Sequence, residues 1–276
     1  MRTVEALWRF AAGDDVKRVA TVRFGGLKVP CDLREALQRQ YYFFGSYFLE
    51  DHILDAWSEA ARDAHVVFDV GANGGIYSLA AIAARPTAVV HAFEPTPEIA
   101  ERLRQTIRMN GLSATVHETA VSQLDGYAAL RRCGQEVGGN EGMNYVVIGG
   151  AGEQVRTVRL DSVCSELGLE RVDLLKLDIQ GAEADALEGA RELLSSGRIG
   201  MIFLELNWTW GEAKISPATA AVERLRHGGY VFAAPSARPQ WREAGSWLYA
   251  LSDVMATIPA RPLTASASPS SRPPDT

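Results

Sequence analysis

Cysteine is scarce: the 276-residue chain has three, Cys31, Cys133 and Cys164, far apart in sequence. An odd, scattered set excludes a disulfide framework and a cysteine-based zinc site, and it points to thiols kept reduced. Long apolar runs are missing too. None approaches the roughly 20 residues that a membrane-spanning helix needs. Met1 to Phe10 carries Arg2, Glu5 and Arg9 and lacks the apolar centre of a secretory signal. A cytoplasmic location without a membrane span is therefore expected. Positive charge is not in excess: the formal net charge is -6, so broad attraction to nucleic acid or anionic membrane is not expected. Several catalytic signatures are absent. Neither Gly-x-Ser-x-Gly nor Gly-x-x-x-x-Gly-Lys-Ser/Thr occurs, which disfavours hydrolase and P-loop readings. No Asn-Pro-Pro-Tyr-like motif for a flipped base is found. The histidines form no constellation; His65, His91 and His117 fall in or beside predicted strands, and only His52, near an aromatic segment, is kept as a candidate.

What the chain does have is the balance of a globular protein, with 47% hydrophobic and 22% charged residues. Residues 1–64 read as an N-terminal extension or cap. Val19 to Val29 alternates around Gly25-Gly26 as a small hairpin that Pro30 is expected to end. Tyr41, Tyr42, Phe43, Phe44, Tyr47 and Phe48 then form an aromatic cluster, either packed in a core or walling a pocket. Leu49, Ile53, Trp57 and Ala60 recur at helical spacing.

From residue 65 to 258 strands and helices alternate. Val66–Val70, Ala88–Phe93, Ala114–His117, Val172–Leu177, Ile199–Leu206, Tyr230–Ala233 and Trp247–Leu251 read as strands. Ile76–Ala84, Pro97–Asn110, Glu183–Leu194 and Pro217–His227 read as helices. That alternation predicts an α/β fold with a mainly parallel, doubly wound sheet. The long segment Val121–Leu160 contains Tyr127–Arg132 and Val155–Leu160, a candidate extra hairpin. Between them lies a glycine-rich loop from Gly138 through Asn140 to Asn144, read either as a lid or as a plain mobile loop. The composition from Pro259 to Thr276 predicts a disordered tail.

The centre of the reading is Val66 to Leu79, VVFDVGANGGIYSL: a strand, a turn with Gly71, Gly74 and Gly75, and a helix start. Such a turn lets backbone lie close to a ligand and aims free helix amides at it, with Asp69 at the carboxyl end of the strand. The spacing Gly-Ala-Asn-Gly-Gly-Ile fails the G-x-G-x-x-G fingerprint, so a nicotinamide dinucleotide is disfavoured. Glu94, ending the next strand, offers lone pairs to both ribose hydroxyls of a nucleoside. Lys176 interrupts an apolar strand with Asp178 two residues on, on the same face, either as a structural ion pair or as part of a site. Glu205 and Asn207 end the following strand, so two carboxylates, Asp178 and Glu205, are expected at one rim. Either would serve as a base, or they would hold a divalent cation against paired hydroxyls, although no dedicated metal motif is present. Glu183 reads equally as a carboxylate answering a helix dipole.

FDVGANGGIYSL, HAFEPTPE with Asn110 after it, VRTVRLDSV and DLLKLDIQGAEADALEGA occur in this order over about residues 66–205. On these pieces the chain resembles the FkbM family of S-adenosylmethionine-dependent methyltransferases. The resemblance implies a class I methyltransferase (Rossmann-like) fold with a seven-stranded sheet whose last strand is antiparallel. It implies that Asp69, Gly71 and Asn73 line the methionine end of S-adenosylmethionine, that Glu94 holds the ribose, and that Ala120 and Val121 border the adenine. Many relatives carry a second acid where this chain has Gln180, so a hydrogen-bonding role is expected there in place of a charged one. The expected function is O-methylation of a hydroxyl on a small molecule or sugar. Asp178, Glu205 and Lys176 are the catalytic candidates, Asp178 also touching cofactor, and Glu183, Asn207 and Asn140 are candidates for the acceptor side. No metal is assigned; magnesium is compatible but not called for. The alternative is a non-catalytic nucleoside-binding partner module in a biosynthetic complex.

Overall fold

The structure, a computed structural model, describes residues 19–24, 26–33, 38, 42, 51–132, 141–205, 212–233 and 253–257. Its first element is the expected hairpin, β1 (Val19–Phe24) antiparallel to β2 (Leu27–Asp32). Pro30 does not end it but lies inside β2 opposite Thr21. Counting alternation from the Phe24–Leu27 pair beside the turn, Pro30 sits where the N–H would point away from β1, so the ladder loses nothing. Lys28, two residues earlier and facing the same way, sends its N–H outward to Asn110 Oδ1 at 2.8 Å. Val29, Cys31 and Leu33 pack on Leu79.

Helix α1 (Asp51–Ala61) is followed by β3 (Val66–Val70), α2 (Ile76–Ala84), β4 (Val89–Phe93), α3 (Pro97–Met109) and β5 (Thr115–His117). The long insertion supplies β6 (Ala120–Val121), β7 (Gly126–Arg131), β8 (Tyr145–Val147) and β9 (Glu153–Val158). These form a separate four-stranded sheet in the order β6-β9-β7-β8. The expected extra pairing is there as β7 against β9, with Tyr127 opposite Arg156. Then come α4 (Leu160–Leu167), β10 (Val172–Leu177), α5 (Glu183–Glu188), α6 (Arg191–Ser195), β11 (Ile199–Glu205), α7 (Glu212–His227), β12 (Val231–Ala233) and β13 (Asp253–Thr257).

The main sheet runs β12-β13-β11-β10-β3-β4-β5. Five adjacent strands, β5 to β11, are parallel, and β13 runs antiparallel between β11 and β12. The seven strands are thus a parallel block of five plus two at one edge. This is the class I methyltransferase order. The expected strand Trp247–Leu251 and the tail 259–276 lie outside the described residues.

Two helical expectations need correction. Glu183–Leu194 is not one helix: it breaks at Gly189, where an added Cβ would stand 2.0 Å from the Ser122 carbonyl oxygen. Helix α4 was not foreseen, because Leu160 reads as the end of the strand from Val155; the strand stops at Val158, and Leu160, Val163, Cys164 and Leu167 recur at helical spacing. Its Asp161 caps a neighbour, accepting the N–H groups of Glu192 (3.1 Å) and Leu193 (3.0 Å) at the start of α6.

The sheet's alternation sorts its residues between two cores. Phe68, Val70, Leu175, Leu177, Ile202 and Leu204 face α4 to α7. Val67, Leu174 and Phe203 face α1 and α2. At the period of two, Asp69, Lys176, Asp178 and Glu205 therefore belong to the α1/α2 side. Trp57 of α1 is fully buried there. It meets Tyr77 and Phe203 edge-on at 5.6 and 5.3 Å and donates its Nε1–H to the Tyr77 carbonyl at 2.8 Å. The division expected between residues 64 and 65 is therefore no break in packing.

Candidate active site

The chain order reverses at β3: β4 and β5 lie on one side of it, β10 and β11 on the other. Ligands in open α/β sheets bind above such a reversal, at the carboxyl ends of the strands. The turn there is tightly determined. Gly71 has φ 80°, and a Cβ on it would stand 1.9 Å from the Asp178 carbonyl oxygen. The N–H groups of Gly71 and Ala72 both donate to the Phe93 carbonyl, each at 3.0 Å. Asn73 is left-handed at φ 47°, and a Cβ on Gly74 would meet nothing within 4 Å. Behind the turn, Asp69 is 1% exposed, and its Oδ2 accepts the Ser78 N–H (2.9 Å) and hydroxyl (2.6 Å). Burial raises its carboxyl above the usual range, while Ser78 and the Lys176 charge oppose this. Asp69, expected to line the methionine end, is tied through Ser78 to the first turn of α2.

Glu94 follows β4 and is buried. Its Oε2 accepts the Asn73 N–H at 3.0 Å and its Oε1 the Thr96 N–H at 2.8 Å. Burial pushes this carboxyl up, against the pull of those hydrogen bonds and of Arg102. The Thr96 side chain bonds this carboxyl as well, and the lone-pair capacity left over can accept from a ligand hydroxyl. Thr96 precedes α3 without a side-chain cap bond; its hydroxyl lies 3.5 Å from Asn144 Nδ2 of the insertion. The Glu94 N–H donates to the His117 carbonyl, and two residues beyond stands Thr119, whose buried hydroxyl has no hydrogen-bond partner among the described residues. Ala120 and Val121, both buried, come next. An orphaned hydroxyl is costly unless a ligand completes it.

The third group comes from β10 and β11. Leu177 pairs with Leu204, so one residue on Asp178 stands opposite Glu205. Lys176 is 3% exposed; its ammonium lies 2.9 Å from Asp178 Oδ2 and 4.3 Å from the centre of the Tyr77 ring. Gln180 Nε2 stands 3.1 Å from Asp178 Oδ1 and 3.3 Å from Glu205 Oε2. Burial works against ionisation of Asp178, yet the Lys176 charge, a hydrogen bond shared with Glu205 and those from Lys176 and Gln180 outweigh it. They bring its carboxyl down to about 2. Glu183 is buried, and its Oε1 accepts the N–H groups of Ile179 and Gly181, each at 3.1 Å. It holds the loop between Asp178 and α5, with its own carboxyl raised by burial.

The fold thus brings Asp69, Gly71, Asn73, Glu94, Lys176, Asp178, Glu183 and Glu205 to one end of the sheet. Asn140 and Asn207, together with Tyr47 of the aromatic cluster, lie outside the described residues; Tyr42 and His52 are exposed. Sequence reasoning passed over Tyr77, Ser78 and Thr119. The helical spacing of Trp57 and the position of Ser78 in the first turn after Gly75 were available signals; nothing in the sequence marks Thr119.

These groups fit a nucleoside with a cationic tail. Glu94 suits vicinal hydroxyls, and Thr119 has a hydroxyl to complete. Carboxyl groups outnumber the ammonium of Lys176 among the described residues around it, and a positive ligand favours their ionised forms. The Lys176 ammonium occupies Asp178 Oδ2. Among the described residues no group of three or more metal-ligating side chains occurs, and no helix is long and apolar enough to cross a membrane.

Several relatives share part of this chain, three of which follow. The AMB antimetabolite synthetase AmbE of Pseudomonas aeruginosa is 31% identical over 200 residues, which is 60% of this chain and 9% of AmbE. The 2-O-methyltransferase NoeI of Sinorhizobium fredii is 30% identical over 154 residues, 48% of this chain and 60% of NoeI. The 31-O-demethyl-FK506 methyltransferase FkbM of Streptomyces tacrolimicus is 31% identical over 159 residues, 48% of this chain and 61% of that protein. The chain therefore spans less than two thirds of each. The methyltransferase FkbM domain matches residues 69–232, from the acid that anchors the turn to the sheet's edge strand β12. With more than half of its length in that match, the chain belongs to the FkbM methyltransferase family.

Proposed function

We propose that the chain methylates a hydroxyl oxygen of a small molecule or sugar with S-adenosylmethionine as the methyl donor. The observation that carries this reading is the meeting, above one strand reversal, of the buried Glu94 carboxylate with the Asp178–Glu205 carboxyl pair. Glu94 holds the ribose, the Gly71–Asn73 turn carries the methionine end, and Thr119 with Ala120 and Val121 borders the adenine. Bound S-adenosylmethionine supplies an electrophilic methyl group. The chain's own residues align the acceptor and take its proton, which is the main demand of an in-line displacement. The preference for oxygen draws on the two relatives named for O-methyl chemistry.

The test is thermal unfolding with S-adenosylhomocysteine, with NAD and with no ligand. Ligand at 100 times its dissociation constant adds about 2.7 kcal/mol of stability. A shift with S-adenosylhomocysteine alone, much reduced in Glu94→Gln, is the expected result, and it opens a screen of hydroxylated acceptors. No shift, or a shift with NAD alone, overturns the reading. Binding without turnover on any acceptor leaves the nucleoside-binding module instead.

A further inference from the structure

We propose that Arg132, just past β7, is a positioning residue for the cofactor: by gripping Glu98 it holds the first turn of α3, and with it Thr96, against the Glu94 carboxyl that takes the ribose. This rests on the methyl-donor reading and deepens it, because it makes the insertion that carries β7, β8 and β9 part of the cofactor site.

Only Pro95 and Thr96 separate Glu94 from α3, so the carboxyl and the helix start move together. Thr96 serves both. Its N–H donates to Glu94 Oε1 at 2.8 Å, its side chain bonds the same carboxyl, and its carbonyl accepts the N–H groups of Ile99 (3.1 Å) and Ala100 (2.9 Å). With the hydroxyl spent on Glu94, α3 begins without a side-chain cap. Further along, the helix is fastened to the main sheet and the hairpin. Arg104 donates to Glu118 and to the Val116 carbonyl, and Asn110 exchanges hydrogen bonds with the Lys28 main chain. The first turn is gripped from the insertion instead. Arg132 Nη1 and Nη2 donate to the two oxygens of Glu98, while Nε and Nη2 donate to the two oxygens of Glu153 on β9 at 2.8 and 2.9 Å. One planar guanidinium thus joins β9 to α3 through two forks, a geometry that a lysine could not reproduce. Its hydrogen bonds hold both carboxyls below the usual range.

An isolated ion pair at a surface does little. This one differs in where its second carboxyl sits, two residues after the residue that orients the buried acid. The same insertion also approaches that residue directly: Asn144 Nδ2, just before β8, lies 3.5 Å from the Thr96 hydroxyl oxygen. An amide N–H donates, so this contact leaves the Thr96 hydrogen free to point at Glu94. Arg132 and Asn144 therefore tie the insertion to the chain at residues 98 and 96, within one turn that leads straight to Glu94. Without the grip on Glu98 the first turn can drift, and the two Thr96 bonds to the carboxyl loosen. Glu94 stays buried, but the aim of its remaining lone pairs is lost, and a ligand hydroxyl is sensitive to shifts of a fraction of an ångström.

The experiment is calorimetry of the full chain with S-adenosylhomocysteine and with its 2′,3′-dideoxy analogue, which lacks the hydroxyls that Glu94 takes. Wild type should bind the parent ligand about tenfold more tightly or better, as hydrogen bonds to a charged group imply. In Arg132→Gln that ratio should fall to about threefold or less, while affinity for the dideoxy analogue changes by less than about twofold. Glu98→Ala, a substitution at an exposed position that leaves the fold intact, should narrow the ratio to the same extent. The double variant should narrow it no further, because both changes break one contact. A merely structural role would weaken both ligands alike and keep the ratio. That result, an unchanged ratio in either single variant, or effects that add in the double variant overturns the inference. The two readings fail differently. If wild type does not bind S-adenosylhomocysteine, the methyl-donor reading falls and takes this inference with it; if wild type binds both ligands equally, the ribose role of Glu94 falls and the inference again with it. A hydroxyl preference in wild type that the variants retain in full overturns the role of Arg132 alone.

Discussion

Replacing Gly71 with alanine should damage the fold far more than one methyl group suggests. Two costs are separable. The residue sits at φ 80°, and a left-handed conformation costs an L-residue roughly 1–2 kcal/mol. The new Cβ would also stand 1.9 Å from the Asp178 carbonyl oxygen, a main-chain atom that cannot swing aside. Relief requires β3 and β10 to part at their ends. That strains the Asp178 N–H to Val70 bond (3.1 Å) and the two amides on the Phe93 carbonyl. With a net contribution of about 1 kcal/mol per hydrogen bond, the variant should lose roughly 3 kcal/mol or more. For a domain of this size that corresponds to a fall in Tm of about 6–12 °C. The control is Gly111→Ala: φ is 63° but nothing lies within 4 Å of the added carbon, so only the backbone cost of about 1 kcal/mol applies. Urea and thermal unfolding of both variants give the comparison. Equal losses in the two would refute the claim that close approach to Asp178 dictates glycine at the turn.

Two further outcomes are expected. Thr119→Val removes an unpartnered buried hydroxyl, so the free protein should be unchanged or up to about 1 kcal/mol more stable, while calorimetry with S-adenosylhomocysteine shows roughly fivefold weaker binding; unaltered affinity would detach Thr119 from the site. His91, 3.0 Å from His117 Nε2, is lowered by burial and then by His117 from the ordinary 6.5 to about 4. A depressed histidine stabilises the fold fully above its ordinary value, and that contribution is lost as pH falls toward the folded one. Stability should therefore drop by up to roughly 3 kcal/mol between about pH 6.5 and 4, and His91→Phe should flatten the curve in urea unfolding.

The fold was legible because its signals are local. The strand–turn–helix at Val66–Leu79, Pro97 opening α3 and Gly111 just past it are written into neighbouring residues. Glu94 was legible for the same reason, being an acid at the end of an apolar strand. What escaped depends on contacts distant in sequence. Pro30 is tolerated by the register of β2 against β1, and the break at Gly189 answers the Ser122 backbone. Asp69 reads as an acid at a strand end, and its bonds to Ser78 at the start of α2 depend on how the turn folds back. The meeting of Asp178 with Glu205 was expected from strand ends alone, but the Gln180 bridge between them depends on a loop conformation, and the ring beside the Lys176 ammonium, Tyr77, comes from a distant stretch of chain.

Trp57 carries a consequence for how this protein can be cut and recombined. The family match begins at Asp69, partway along β3, yet the wall behind Lys176 is built by a helix that ends eight residues earlier. Excising the matched segment would uncover Tyr77 and Phe203 and remove the indole that holds the Tyr77 carbonyl. The heritable module recognised in sequence and the unit able to fold and poise its own lysine are therefore different lengths of chain. A transplant or chimera has to carry the helix from Asp51 along with the domain.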